Sequence, residues 1–216
     1  FYIMGTFEKG ILGGFSGKIG TVIGGNWKGI DYMRSKSRRR KNYTPSEKQQ
    51  AQQIKFGLAI RFANSMSGLL ELSFKDYAVE KTGINSCVSY VLKDAITGIF
   101  PNFSISYANA LVSRGDLPNV LAPAAVAAAG SLVNFSWTDN SGVGIAKPTD
   151  KAILVAYCPA VNQAIYTTGS AQRSALTDSL NLTSFSGKQV ETYIGFISED
   201  GLNVADSIYT GQLLVS

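Results

Sequence analysis

From Ser131 to Ser216 the apolar residues recur with a period of two or in short unbroken runs. Val133-Asn134-Phe135-Ser136-Trp137 alternates, and Ala152 to Tyr157 is nearly continuous. Val190 to Ser198 and Ile208 to Val215 follow, separated by clusters of glycine, asparagine and aspartate. Side chains that repeat every second residue line one face of a strand, and strands of this length and spacing predict a β-sandwich.

The first 33 residues are punctuated differently. They hold nine glycines, and the apolar residues between them are β-formers. Thr21-Val22-Ile23 and Ile30-Asp31-Tyr32-Met33 flank Gly24 to Gly29, which predicts a hairpin with a glycine-rich loop. Thr44-Pro45-Ser46-Glu47 then reads as a helix start, with Thr44 as N-cap and Glu47 returning a bond to the backbone. Ile54, Leu58, Phe62 and Met66 share one face of the helix that follows. A second helix is expected over Ile84–Thr97, stopped by Gly98. Alternation at Phe103, Ile105 and Tyr107 predicts a further strand. Pro118, Pro123 and the alanines of Ala122 to Ala129 read as a linker.

The net charge of +5 is concentrated in one place. Arg34, Lys36, Arg38, Arg39, Arg40 and Lys41 lie within eight residues with no acid among them, whereas residues 131–216 carry four positive and seven negative side chains. The basic arm is a candidate contact for nucleic acid, with Trp27, Tyr32 and Tyr43 near it to stack on bases, or for an acidic protein surface. A second candidate surface is the N-terminal β segment, where Phe7, Ile11, Phe15, Ile19 and Val22 alternate with glycines that add little burial of their own. Such a segment needs a neighbour, in the same chain or in another copy.

Other chemistries are excluded or disfavoured. The chain has no histidine, which removes histidine triads, cysteine–histidine pairs and ordinary histidine metal sites. Gly13-Gly14-Phe15-Ser16-Gly17-Lys18 is not a phosphate loop, because three residues separate the relevant glycines and Ile19 follows the lysine. Asp139, Asp150, Asp178, Glu191 and Asp200 are expected as solvated acids at loops or strand ends. Cys87 and Cys158 are expected in the core as free thiols, with one disulfide as the alternative. No cofactor, metal or small-molecule substrate is expected. The longest apolar stretch, near Leu121–Ala129, falls short of the ~20 residues of a bilayer span. With no recognisable signal peptide, a soluble protein is expected, either cytoplasmic or part of an extracellular or virion-like assembly.

Two resemblances add to this reading. The tryptophan-bearing strand at Val133, the Ile153-Leu154-Val155-Ala156-Tyr157 strand, and Tyr193-Ile194-Gly195-Phe196-Ile197 before Asp200-Gly201 resemble the fibronectin type III pattern. Over the whole chain after Met4, a set of short motifs resembles an uncharacterised bacteroidete family of unknown function. They are Met4-Gly5-Thr6-Phe7, Gly13 to Gly20, Trp27-Lys28-Gly29, Thr44-Pro45 and Ser113-Arg114-Gly115. That likeness implies no activity and no catalytic residue.

The expectation is an α+β chain. A glycine-rich hairpin, basic arm and helical region occupy 1–117, a linker 118–130 and a fibronectin-like sandwich 131–216. Its expected role is non-enzymatic: a structural or assembly protein that self-associates or binds a protein partner. A nucleic-acid-binding accessory protein is the alternative.

Overall fold

The computed structural model describes residues 6–7, 13–37, 44–77 and 81–216. The chain forms two compact units, Phe1–Pro45 and Ser46–Ser216. The first is an antiparallel meander of β1 (Thr6–Phe7), β2 (Phe15–Ile19), β3 (Val22–Trp27) and β4 (Ile30–Ser35), hydrogen-bonded in that order. Its last hairpin, between β3 and β4, turns on two residues only. Lys28 and Gly29 both have positive φ, +49° and +86°, as a turn matched to strand twist requires. The expected six-residue loop is therefore shorter, and Gly24 and Gly25 lie inside β3. Their lack of a Cβ serves close approach. The carbonyl oxygen and ring of Phe15 lie across Gly24, and the Tyr32 ring lies 3.0 Å from where a Cβ on Gly25 would sit.

The second unit opens with α1 (Glu47–Asn64). Its cap is Ser46, two residues later than expected: Gln49 N–H donates to Ser46 Oγ at 3.4 Å and Ser46 N–H donates to Gln49 Oε1 at 2.9 Å. The sequence holds two overlapping capping boxes, Thr44…Glu47 and Ser46…Gln49, and the second closes the helix. α2 (Ser67–Ser73) and α3 (Gly83–Tyr90) follow, α3 continuing through a π turn at Val91–Ala95. The helix expected to reach Thr97 ends there. Ile96–Ile99 is β5, paired with β6 (Asn102–Ile105), and Gly98, at φ +97°, abuts Asn102 across that hairpin.

Seven further strands make two sheets. β7 (Leu121–Ala128), β8 (Leu132–Thr138) and β11 (Thr177–Asn181) are ordered β11-β8-β7. β9 (Lys151–Cys158), β10 (Gln163–Gln172), β12 (Gln189–Ile197) and β13 (Ile208–Leu214) are ordered β10-β9-β12-β13. All pairs are antiparallel. This is a fibronectin type III-like sandwich, and the whole chain is α+β. The expected linker at 118–130 is largely β7. Pairing with β8 overrides the helical propensity of the alanines, and Pro123 sits where the register shifts between Leu121 and Ala124, at the edge of the sheet.

Nor does a boundary fall at residue 117. Even-numbered residues of β9 (Ala152, Leu154, Ala156, Cys158) join Phe135, Trp137, Ile194 and Phe196 between the sheets. The odd-numbered ones (Ile153, Val155, Tyr157) join Phe62, Met66, Leu70, Phe74 and Val91 beneath the helices. The unit thus has three layers, and its central sheet is buried on both faces. That burial explains why β9 reads as an unbroken apolar run rather than an alternation.

Candidate interaction surface

Register assigns each N-terminal side chain to a face. Lys18 pairs with Ile23, Ile23 with Arg34, Gly25 with Tyr32 and Trp27 with Ile30, so these residues share one face of the sheet. On the other, Ile19 pairs with Val22 and Gly24 with Met33, while Asn26 opposes Asp31 and donates to its Oδ1 at 2.7 Å. Phe15 also lies on this second face, over Gly24, and Asp31 reaches back to Gly14. Large apolar groups remain open to solvent: Trp27 is 58% exposed, Ile30 70%, Tyr32 45% and Met33 72%. Every residue of β4 is exposed, and among the described residues β4 pairs with β3 alone.

Of the residues expected for self-association, the structure brings Phe15, Ile19 and Val22 to one face. Phe7 pairs with Phe15 in backbone register, and Ile11 lies outside the described residues. Of the basic arm, Arg34 is in β4 and Lys36 follows it, its N–H donating to Thr21 O at 2.7 Å. Arg38, Arg39, Arg40, Lys41 and Tyr43 lie outside the described residues. Sequence reasoning missed Ile30 and Met33, and placed Trp27 in a loop. A strand continued through Gly24 and Gly25 would have set their parity. Unit Phe1–Pro45 contains nine lysines and arginines and two acids, so the chain's +5 divides into +7 here and −2 in Ser46–Ser216.

The second unit carries exposed apolar residues of its own at one end of the sandwich. Lys151 of β9 pairs with Ile197 of β12, so the loops 139–150 and 198–207 emerge together. They expose Val143, Ile145 and Leu202, with Glu199, Asp200 and Asp206 also exposed and Asp139 partly so. Hydrogen bonds from the Ser141 hydroxyl and N–H hold Asp139 below the usual carboxylate range. The Ser198 hydroxyl and Leu202 N–H do the same for Asp200. Both stay anionic at neutral pH.

Two of the acids expected in solvent are buried instead. Asp150 Oδ2 accepts from Arg173 Nη2 at 3.1 Å, from Arg173 Nε at 3.2 Å and from Lys147 N–H at 2.8 Å, with both side chains of the ion pair fully buried. Arg173 also donates to Asn140 Oδ1 at 2.6 Å and Pro118 O at 2.9 Å, and its guanidinium lies 4.6 Å from the Phe196 ring centroid. This network fixes both ends of the 139–150 loop. Glu191, the third residue of β12, accepts from Tyr209 Oη at 2.5 Å and Gln212 Nε2 at 2.8 Å. A buried charge persists only with such partners, which loop-like sequence context does not reveal. Cys87 and Cys158 are both free and buried, and burial pushes the Cys87 thiol up to about 12. Among the described residues, no helix is long and apolar enough to cross a membrane.

The architecture defines a class: a fibronectin type III-like sandwich with a helical layer on its four-stranded sheet, accompanied by a small basic β-meander. The chain belongs to a family of unknown function, DUF6266, whose profile matches residues 14–211. No curated protein matches it. Among solved structures, the chain is similar to the solution structure of the fn3 domain of human collagen alpha-1(XX) chain, at 10% identity and a TM-score of 0.34. That likeness covers 48% of this chain and 90% of the domain.

Proposed function

We propose that this protein is a non-enzymatic assembly component that associates head to tail. The N-terminal sheet of one copy docks on the loop end of the next copy's sandwich. The supporting observation is the pairing of two unlike surfaces in one chain. The sheet exposes Ile30 on one face and Met33 on the other, 70% and 72% exposed, and its unit carries a charge of +7. The loop end combines Val143, Ile145 and Leu202 with Asp139, Glu199, Asp200 and Asp206 against a single exposed cation of these loops, Lys147. Opposite charge steers the approach, and exposed apolar groups gain by leaving water. The charge excess also disfavours pairing two N-terminal sheets edge to edge, so the contact is heterologous and propagates.

Two charge-reversed variants test this, Arg34→Glu/Lys36→Glu and Glu199→Lys/Asp200→Lys. Each alone is expected to remain monomeric. Mixed, they should form heterodimers, because each retains one intact surface. Variants that assemble as well as the parent would contradict the reading.

A further inference from the structure

We propose that the face of the N-terminal sheet bearing Lys18, Trp27, Ile30, Tyr32 and Arg34 binds single-stranded nucleic acid. Bases stack on Trp27 and Tyr32, and phosphates pair with Lys18, Lys28 and Arg34. This goes beyond head-to-tail assembly, which leaves a charge unexplained: a neighbour's −2 neutralises little of +7. The face is suited to a polyanion. Asp31, the one acid among the described residues of this unit, belongs to the opposite face and is engaged by Asn26. Lys18, Lys28 and Arg34 are exposed, and Lys36 follows before four more cations in the next five residues of sequence. The face displays aromatic rings as well as charge. Gly25 lets the Tyr32 ring lie against the sheet where any Cβ would crowd it, which turns the ring's outer side to solvent. Trp27, one diagonal away on the neighbouring strand, is 58% exposed. Exposed rings on a sheet, flanked by cations, are a stacking platform for unpaired bases. A duplex, whose bases are already stacked, gains only the charge contacts.

The test uses the full chain, a labelled oligothymidylate of about 16 nucleotides and a blunt duplex of equal length. Binding is expected at about 50 mM salt and should weaken with log salt at a slope of about −2 for three neutralised phosphates. Trp27 emission should be quenched on binding; Trp137, the other tryptophan, is buried. Trp27→Ala/Tyr32→Ala should lose about tenfold affinity per aromatic, and the duplex should bind more weakly than the single strand. Three results would overturn the proposal: no binding at low salt, unaltered affinity in the double variant, or a duplex bound as tightly as the strand. Light scattering without nucleic acid reports head-to-tail assembly separately, so either reading can fail alone.

Discussion

Arg173 is the largest side chain wholly withdrawn from solvent among the described residues, and its partners come from three separate stretches of chain. Arg173→Ala would leave Asp150 buried and unpaired, and is expected to cost about 3–5 kcal/mol in chemical denaturation. A loss below about 1 kcal/mol would mean that Asp150 finds water. The thiols give a second residue-scale expectation. With Cys87 held near 12 and both cysteines buried, neither should react with a thiol reagent in the folded chain, and both should react in denaturant. A group whose folded pKa is raised favours its protonated form in the fold, so the stability it contributes is complete below its unfolded value. That stability is lost as pH rises towards the folded value. Cys87, raised from 9.0, and Tyr107, raised from 10.0, both to about 12, should therefore leave stability level between pH 7 and 8.5 and lower it progressively above pH 9. Denaturant midpoints across that range check it.

At the scale of elements, β9 carries the most weight because it serves two cores. Ile153→Ala, facing the helices, and Leu154→Ala, facing the other sheet, are each expected to cost about 2–5 kcal/mol. Both should shift one common transition of Ser46–Ser216 followed by circular dichroism, since neither layer keeps its core without this strand. Two separate transitions would contradict a shared sheet. Strand period alone made β8, β9, β12 and β13 legible, but the helical layer that covers the second face of β9 was not read from its unbroken run. β7 was not legible, because alanine and proline state a local preference that pairing with β8 overrides. The candidate interaction surface was half legible. Its charges stand in one run of sequence, but the faces that carry Trp27, Ile30 and Met33 emerge only once Gly24 and Gly25 are recognised as strand residues under Phe15 and Tyr32. Gly24→Val, placed against the Phe15 carbonyl, should disorder the meander and leave the second unit's unfolding unchanged.

For the whole molecule, the telling feature is the division of charge and core. One unit holds two hydrophobic clusters and is slightly acidic; the other is small, strongly basic and exposes apolar side chains. A small sheet with exposed Ile30 and Met33 is poorly satisfied alone, and the acidic, apolar loop end of a second copy offers what it lacks. The most direct measurement is size-exclusion chromatography with light scattering on the full chain, across protein concentration at low and high salt. Mass should rise above the monomer with concentration at low salt and return towards it at high salt. A monomeric mass at every concentration and salt would contradict head-to-tail assembly.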